Sequence, residues 1–348
     1  MKSVFTKSFA RAGLLGNPSD GYYGKTLSFT FREYCVELQL TESSRLRFVP
    51  GEVDDASFDN AADLVRNLRL YGYYGGVRML KAVAKLFFEY CFEHSIELPK
   101  INFTAEYKIN IPRLVGLSGS SAICSAMLKA LMRFYDIEIP LEETPTICLR
   151  AERDELGIAC GLQDRVVQMY NGLIFMDFER SYLELNGYGR YEKLDASVPN
   201  LYLSFDPNRA EESGKAHKAV RNLFLADNAE VKSVMSSLAD VAQNGRDALL
   251  QGDYKTLNEL INLNFDLRTK VFNISEENKA MVSRARSVGA SAKFAGSGGA
   301  IVGLYEDEEQ FAKLSSVLSE IGCKTFKPTI ATNEDESAQS SSGNWRNS

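Results

Sequence analysis

Histidine is almost absent from this chain: there are two in 348 residues, His94 and His217. Neither stands near a serine or cysteine in a way that suggests a catalytic triad, so nucleophilic acyl chemistry is disfavoured. No two cysteines have CxxC spacing. The six (Cys35, Cys91, Cys124, Cys148, Cys160 and Cys323) lack zinc-ligand spacing and several lie in apolar patterns, which fits buried thiols in a reducing compartment. Positive charge is not in excess: 40 Lys and Arg face 46 Asp and Glu, a net charge of −6. No bulk basic field is available to hold nucleic acid. No apolar run reaches the length of a membrane span. The start MKSVFTKSFARAGLL is basic and free of acids until Asp20. Its alternation through Val4, Phe5 and Phe9 favours a first strand over a targeting segment. The expectation is a cytoplasmic protein that meets a small molecule, with no nucleic-acid or membrane partner, as a monomer or homodimer.

What is present is an ordinary globular balance, 45% hydrophobic and 25% charged, long enough for one large domain or two smaller ones. One stretch stands out, IPRLVGLSGSSAICSAML at 111–128. Gly116, Ser118, Gly119, Ser120 and Ser121 sit between a Pro-bearing loop and an apolar run of helical spacing through Ile123, Met127, Leu128, Leu131, Met132 and Tyr135. Small residues let the backbone approach a ligand, and a helix N-terminus offers free N–H groups and a positive dipole end, so the stretch can hold a phosphate. Taken alone it is more often an ordinary turn and N-cap. It is not a Walker loop, since no Lys follows the glycines, and it lacks the dinucleotide fingerprint spacing.

Along the chain, residues 3–15 read as a strand entering a Gly-Asn-Pro loop, and 27–40 and 101–110 as alternating strands. Helices are expected within 75–97, after the small-residue loop, and within 141–156, where Glu152 lies. GLQDRVVQMYNGLIFMDF (161–178) reads as a turn, a short helix and a strand. The pattern shifts near 185: a strand at 200–206, several helices between 213 and 288, two β runs around a Gly-rich turn at 291–305, a helix at 307–320 and a strand near 323–329. Segregated strand and helix runs imply an α+β fold in two lobes, 1–185 and 186–330. The polar, Ser-rich tail 331–348 is expected to be disordered.

Three separated signals occur in order: ARAGLLGNPSDGYYGKTLS (10–28), the loop 116–121, and KFAGSGGAIVGL (293–304). Together, over about residues 5–330, they resemble the GHMP kinase superfamily. The resemblance implies a ribosomal protein S5 domain 2-like N-terminal lobe and a ferredoxin-like C-terminal lobe. It also implies ATP and Mg²⁺, with the phosphates on the N–H groups of Gly116, Leu117, Ser118, Gly119, Ser120 and Ser121. By the same resemblance Ser121 and Glu152 are metal ligands, Asp164 aligns the acceptor hydroxyl, and Arg11 stands beside it. Asp20, Gly296, Ser297 and Gly298 join Arg11 and Asp164 around the substrate. Phosphoryl transfer needs positioning and charge neutralisation more than covalent chemistry, which such a set supplies.

Within the superfamily, GNPSD in place of the galactokinase loop, with GKAHKAVR (214–221) and NLNFDLR (262–268), looks most like the plant-type glucuronokinase branch. That resemblance implies ATP-dependent phosphorylation of the anomeric hydroxyl of D-glucuronate, upstream of UDP-glucuronate. The alternatives are another anomeric sugar kinase (for galacturonate, galactose or arabinose), a mevalonate-type kinase, or a non-catalytic sugar or nucleotide sensor on the same fold. A uronate carboxylate calls for a cationic partner, and Arg113, Arg165, Lys215 and Arg268 are the candidates.

Overall fold

A computed structural model describes residues 1–51, 54, 75–208 and 214–337. The chain opens with two long strands, β1 (Ser3–Leu15) and β2 (Lys25–Ser43), paired antiparallel. A short β3 (Arg47–Phe48) precedes helix α1 (Gly76–Glu93) and strand β4 (Asn102–Ile109). The apolar run after the small-residue loop forms α2 (Gly119–Tyr135), whose residues from Ser121 to Leu131 are all buried. Helix α3 (Thr144–Arg150) then runs into a π-helical turn, Ala151–Glu155. Helix α4 (Gln163–Tyr170), strand β5 (Leu173–Asp177), helix α5 (Arg180–Asn186) and strand β6 (Arg190–Lys193) complete the first half.

The first sheet runs β3-β4-β2-β5-β6, with β1 on the other edge of β2. Strand β2 is long enough to take β4 along Val36–Ser43 and β5 along Lys25–Phe29 on one side. Since β6 pairs with β5, the first lobe extends to Lys193, and the boundary expected at 185 falls inside α5. The second lobe holds β7 (Leu201–Phe205), α6 (Gly214–Leu225), α7 (Ala229–Gln251), α8 (Tyr254–Thr269) and α9 (Glu276–Ser287). Then follow β8 (Lys293–Phe294), β9 (Ala300–Leu304), α10 (Glu308–Ser319) and β10 (Lys324–Phe326). Its sheet has the order β10-β7-β9-β8. The two sheets meet through rings: Phe31 packs on Phe326 and Tyr34 on Phe205, each pair with centroids 5.8 Å apart. Apolar burial of this kind is the main stabilising term for the lobe contact.

The β1–β2 register slips between Phe9 and Ala10, whose partners are Cys35 and Phe31. A bulge frees ladder groups of the strand it bends, and the chain uses them. Arg32 N–H donates to Thr329 O at 3.1 Å, and Ile330 bridges Phe31. The segment after β10 thus returns to the first lobe and ends in a short helix, α11 (Asn333–Ser337). The tail expected to be disordered from 331 is therefore built in as far as 337, with Glu336 only 5% exposed. Residues 338–348 lie outside the described residues.

Candidate active site

The three small-residue segments converge on Arg11. This residue projects from β1 and is 5% exposed. Its Nε donates to Asp164 Oδ1 at 2.6 Å and its Nη2 to Asp164 Oδ2 at 2.9 Å, a two-pronged pair. Its Nη1 donates to Gly116 O at 2.7 Å and to Ala295 O at 3.2 Å. One guanidinium therefore ties the first strand, the 116–121 loop, the 293–299 turn and α4 together. Asp164 lies in the first turn of α4, where the helix dipole favours a carboxylate. Burial pushes its carboxyl upward, but the Arg11 charge and hydrogen bonds, Arg165 and Ser118 more than offset this and hold it below the usual carboxylate value.

Ser118 is not an ordinary N-cap. It has left-handed dihedrals (φ 62°, ψ 47°) and makes no capping bond to α2. Its Oγ instead donates to Asp164 Oδ2 at 2.5 Å. A cap hydroxyl would satisfy the N–H groups of the first turn; leaving them to another acceptor is what an anion site requires. The glycines are explained by close approach. Gly116 has φ +75°, and a Cβ there would lie 2.5 Å from Gly298 O. A Cβ on Gly296 would collide with Gly116 O and sit 3.0 Å from Arg11 Nη1. So the 116–121 loop and the second-lobe turn touch backbone to backbone, with Gly296, Ser297 and Gly298 against the loop.

Glu152, on the π-helical turn, is fully buried. Single π turns inside helices often carry functional side chains. Its Oε2 accepts from Arg165 Nε at 2.8 Å and from Arg165 Nη2, while its Oε1 is buried without a hydrogen-bond partner. Its charge acts on Cys124, one turn along α2 from Ser121, whose Oγ donates to Ser118 O at 3.2 Å. The unpartnered oxygen of Glu152 and the Ser121 hydroxyl are hard donors of the kind Mg²⁺ takes. Among the described residues no group of three or more His, Cys, Asp or Glu could enclose a metal. A cation here would therefore take few protein ligands and complete its shell with phosphate and water, as Mg²⁺ does.

Asp20 lies in a short helical turn after β1 and is half-buried. Desolvation and the neighbouring Asp164 charge raise its carboxyl to about 6, against hydrogen bonds from the Gln163 and Gly21 N–H groups. A Cβ on Gly161 would collide with its Oδ2, so the glycine makes room for the acid. Two carboxylates thus face one site with their pKa values pushed apart, the pattern that separates acid–base roles.

Two of the four cations considered for a substrate carboxylate are already engaged. Arg165 is spent on Glu152 and, through Nη1 at 2.8 Å, on Gly161 O. Arg268 donates to Gly296 O at 2.8 Å and Ser297 O at 3.0 Å and stacks on Phe272 and Phe294, so it pins the second-lobe turn. Arg113 is exposed ahead of the 116–121 loop, and the Lys215 side chain lies outside the described residues.

Several site residues escaped the sequence reasoning. Lys293 is 1% exposed and donates to Gly13 O and Asn17 Oδ1 at 2.5 Å and to Phe294 O at 2.8 Å; burial, with Arg268 and Arg11, pulls its pKa well below the usual lysine value. Asn264 Oδ1 accepts from Gly16 N–H at 2.6 Å. Arg221 of α6 donates through Nη1 to Gly21 O, beside Asp20. The only signals were a Lys directly before the glycine turn, Asn264 and Arg268 one helical turn apart, and Arg221 closing GKAHKAVR.

Comparison with known proteins gives the family of the chain. The GHMP kinases N terminal domain matches residues 78–172 and the GHMP kinases C terminal domain matches 246–322. The chain is 46% identical over 304 residues to an Arabidopsis thaliana protein described as probable glucuronokinase 2, covering 85% of this chain and 82% of that one. It is 45% identical over 303 residues to Arabidopsis thaliana glucuronokinase 1, covering 85% and 83%. Its fold matches that of Lactococcus lactis galactokinase complexed with galactose, with a TM-score of 0.71 at 14% identity over 94% of each chain. Both lobes, the three meeting segments and these relatives place the chain in the GHMP kinase family, in its glucuronokinase branch.

Proposed function

We propose that this protein transfers the γ-phosphoryl group of ATP to the anomeric hydroxyl of D-glucuronate, giving D-glucuronate 1-phosphate, with Mg²⁺ as cofactor. The observation that carries the reading is the Arg11–Asp164 pair at the junction of the three segments. In this reading the triphosphate lies on the N–H groups of residues 116–121, whose helix start leaves them without partners in the helix. Ser121 Oγ and Glu152 Oε1 would hold Mg²⁺, which supplies neutralisation of phosphate charge when bound. Arg165, on the other oxygen of Glu152, fixes that carboxylate.

Asp164 has about four lone-pair sites. Arg11 and Ser118 occupy three of them, leaving one on Oδ1. The acceptor hydroxyl donates there, is turned toward the phosphate, and gives up its proton to Oδ1 late in the transfer. A carboxylate held this acidic is a weak base, so its work is alignment. Arg11 stays charged and offsets the negative charge gathering between hydroxyl and phosphate. Asp20, across from Gly161, receives other sugar hydroxyls.

The acid of the sugar falls to Arg221. Only its Nη1 is used, on Gly21 O beside Asp20; its guanidinium lies 5.6 Å from the Tyr22 ring centroid and pairs with no carboxylate among the described residues, so its other N–H groups can meet the sugar acid. All six cysteines are free thiols and no described helix is long and apolar enough to cross a membrane; we place the activity in the cytoplasm. The test is ADP release against a panel of sugars and uronates. Acceptor-dependent turnover with D-glucuronate supports the reading; sugar binding without turnover would instead support a sensor.

A further inference from the structure

The returning C-terminal segment does more than cover the first lobe. Its Glu336 side chain, 6% exposed, is buried against the helix that follows the 116–121 loop. Oε2 pairs with Lys129 Nζ at 2.6 Å and accepts from Asn171 Nδ2 at 2.7 Å; Oε1 accepts from Arg133 Nη2. Lys129 and Arg133 are on α2, the helix that the loop begins, and Asn171 closes α4, the helix that carries Asp164. Lys129 Nζ also donates to Gln168 O at 2.8 Å, one turn after Asp164. The Gln168 side chain carries the connection forward: Nε2 donates to Ser118 O at 3.0 Å and to Phe9 O at 2.9 Å. Ser118 Oγ then meets Asp164 Oδ2 at 2.5 Å.

We propose that Glu336 is a positioning residue that acts through Lys129, Gln168 and Ser118 to hold Asp164 in line with the acceptor. The chain end is then part of the catalytic apparatus although it touches no reactant. Without Glu336 the buried Lys129 ammonium keeps, among the described residues, the Gln168 carbonyl as its one hydrogen-bond partner. A charge left that way draws in water or shifts its helix. Either response moves α2 against α4, and small displacements of an aligned pair cost rate steeply. The proposal rests on the aligning role given to Asp164 above.

The experiment compares Glu336→Gln, the double variant Lys129→Met with Glu336→Met, and Asp164→Asn, by thermal unfolding and by steady-state ADP release with ATP and D-glucuronate. The double variant removes the buried ion pair together, so no unpaired charge is left inside, but it orphans the Asn171 amide and the Gln168 carbonyl and should melt somewhat below the wild type. The expected result is that, at a temperature where it is fully folded, its kcat falls about tenfold, with both KM values within about twofold. Glu336→Gln, which keeps the shape and one acceptor, should lose about threefold in kcat at a temperature where it is fully folded. A purely structural contact predicts the opposite: full kcat in the double variant once it is folded, and that result overturns the proposal. If Asp164→Asn turns over like the wild type, the alignment role fails and this proposal with it. An inactive Asp164→Asn beside fully active Glu336 variants overturns the positioning role of Glu336 alone.

Discussion

Replacing Asp164 by Asn separates two consequences of the Arg11 pair. The amide keeps the shape but removes the charge and turns one acceptor oxygen into a donor facing Arg11 or Ser118. Arg11 is left with the carbonyls of Gly116 and Ala295, and its guanidinium cannot deprotonate. Breaking a fully buried pair costs about 3–5 kcal/mol. The Asp164 side chain is 22% exposed, so part of that cost is screened, and about 2–3 kcal/mol is the expected loss of stability. At roughly 1.4 °C per kcal/mol for a chain of this size, unfolding should move down by about 3–4 °C. The effect on catalysis is larger, because the lone-pair site on Oδ1 no longer orients the hydroxyl or takes its proton. A loss of about 10²–10⁴-fold is expected in kcat and kcat/KM together, with nucleotide affinity little changed. The assays are ADP release, calorimetric titration with ATP and a thermal melt. An Asp164→Asn enzyme that retains more than about a tenth of wild-type kcat would refute the reasoning.

Glu152→Gln and Ser121→Ala should both weaken productive use of MgATP, Ser121→Ala less, because water can replace a neutral hydroxyl on Mg²⁺; kcat/KM for ATP that shows no recovery as Mg²⁺ is raised would count against both ligands. The acid limb of kcat/KM for the sugar should have its midpoint near the value of about 6 set at Asp20, with activity rising as that carboxyl ionises. Asp20→Asn should remove the limb, and a limb unchanged in that variant would reassign it. Gly116→Ala forces a side chain into a left-handed position and against Gly298 O, so KM for ATP should rise at least about tenfold; a wild-type KM would show that loop and turn do not need their close approach. Arg221→Met should slow D-glucuronate by roughly 30- to 150-fold and D-glucose little, from a charge interaction of about 2–3 kcal/mol; equal slowing of both sugars would move the carboxylate contact elsewhere.

The fold was largely legible because its elements announce themselves locally. β2 alternates, α2 carries an apolar face, and glycines flank both where backbones meet. The loop glycines could be named from their own small-residue pattern, whereas Arg11 and Asp164 were named only through the resemblance to GHMP kinases. What pairs with what could not be named. Arg165 reads as a spare cation until Glu152 is seen against it, and Arg268 until the carbonyls of Gly296 and Ser297 are. The tail misleads for a related reason: its Ser-rich composition is that of a solvated segment, and the single buried acid, Glu336, is matched by cations about two hundred residues away in sequence. A sequence shows the polarity of a side chain but not the partner that lets it be buried. The lobe boundary was misplaced because β6 is a short edge strand with three of its four residues exposed, which gives no hydrophobic signal.

The measurement that bears most directly on the central claim is acceptor preference with the position of transfer. ADP release should be measured on D-glucuronate, D-galacturonate, D-galactose, L-arabinose and D-glucose, and the phosphate of the product located by NMR. D-glucuronate is expected to exceed D-glucose by roughly 10²-fold in kcat/KM, with the phosphate on the anomeric oxygen, since a guanidinium left without its carboxylate costs about 2–3 kcal/mol. Comparable rates on the two sugars, or phosphate on any other oxygen, would contradict the account.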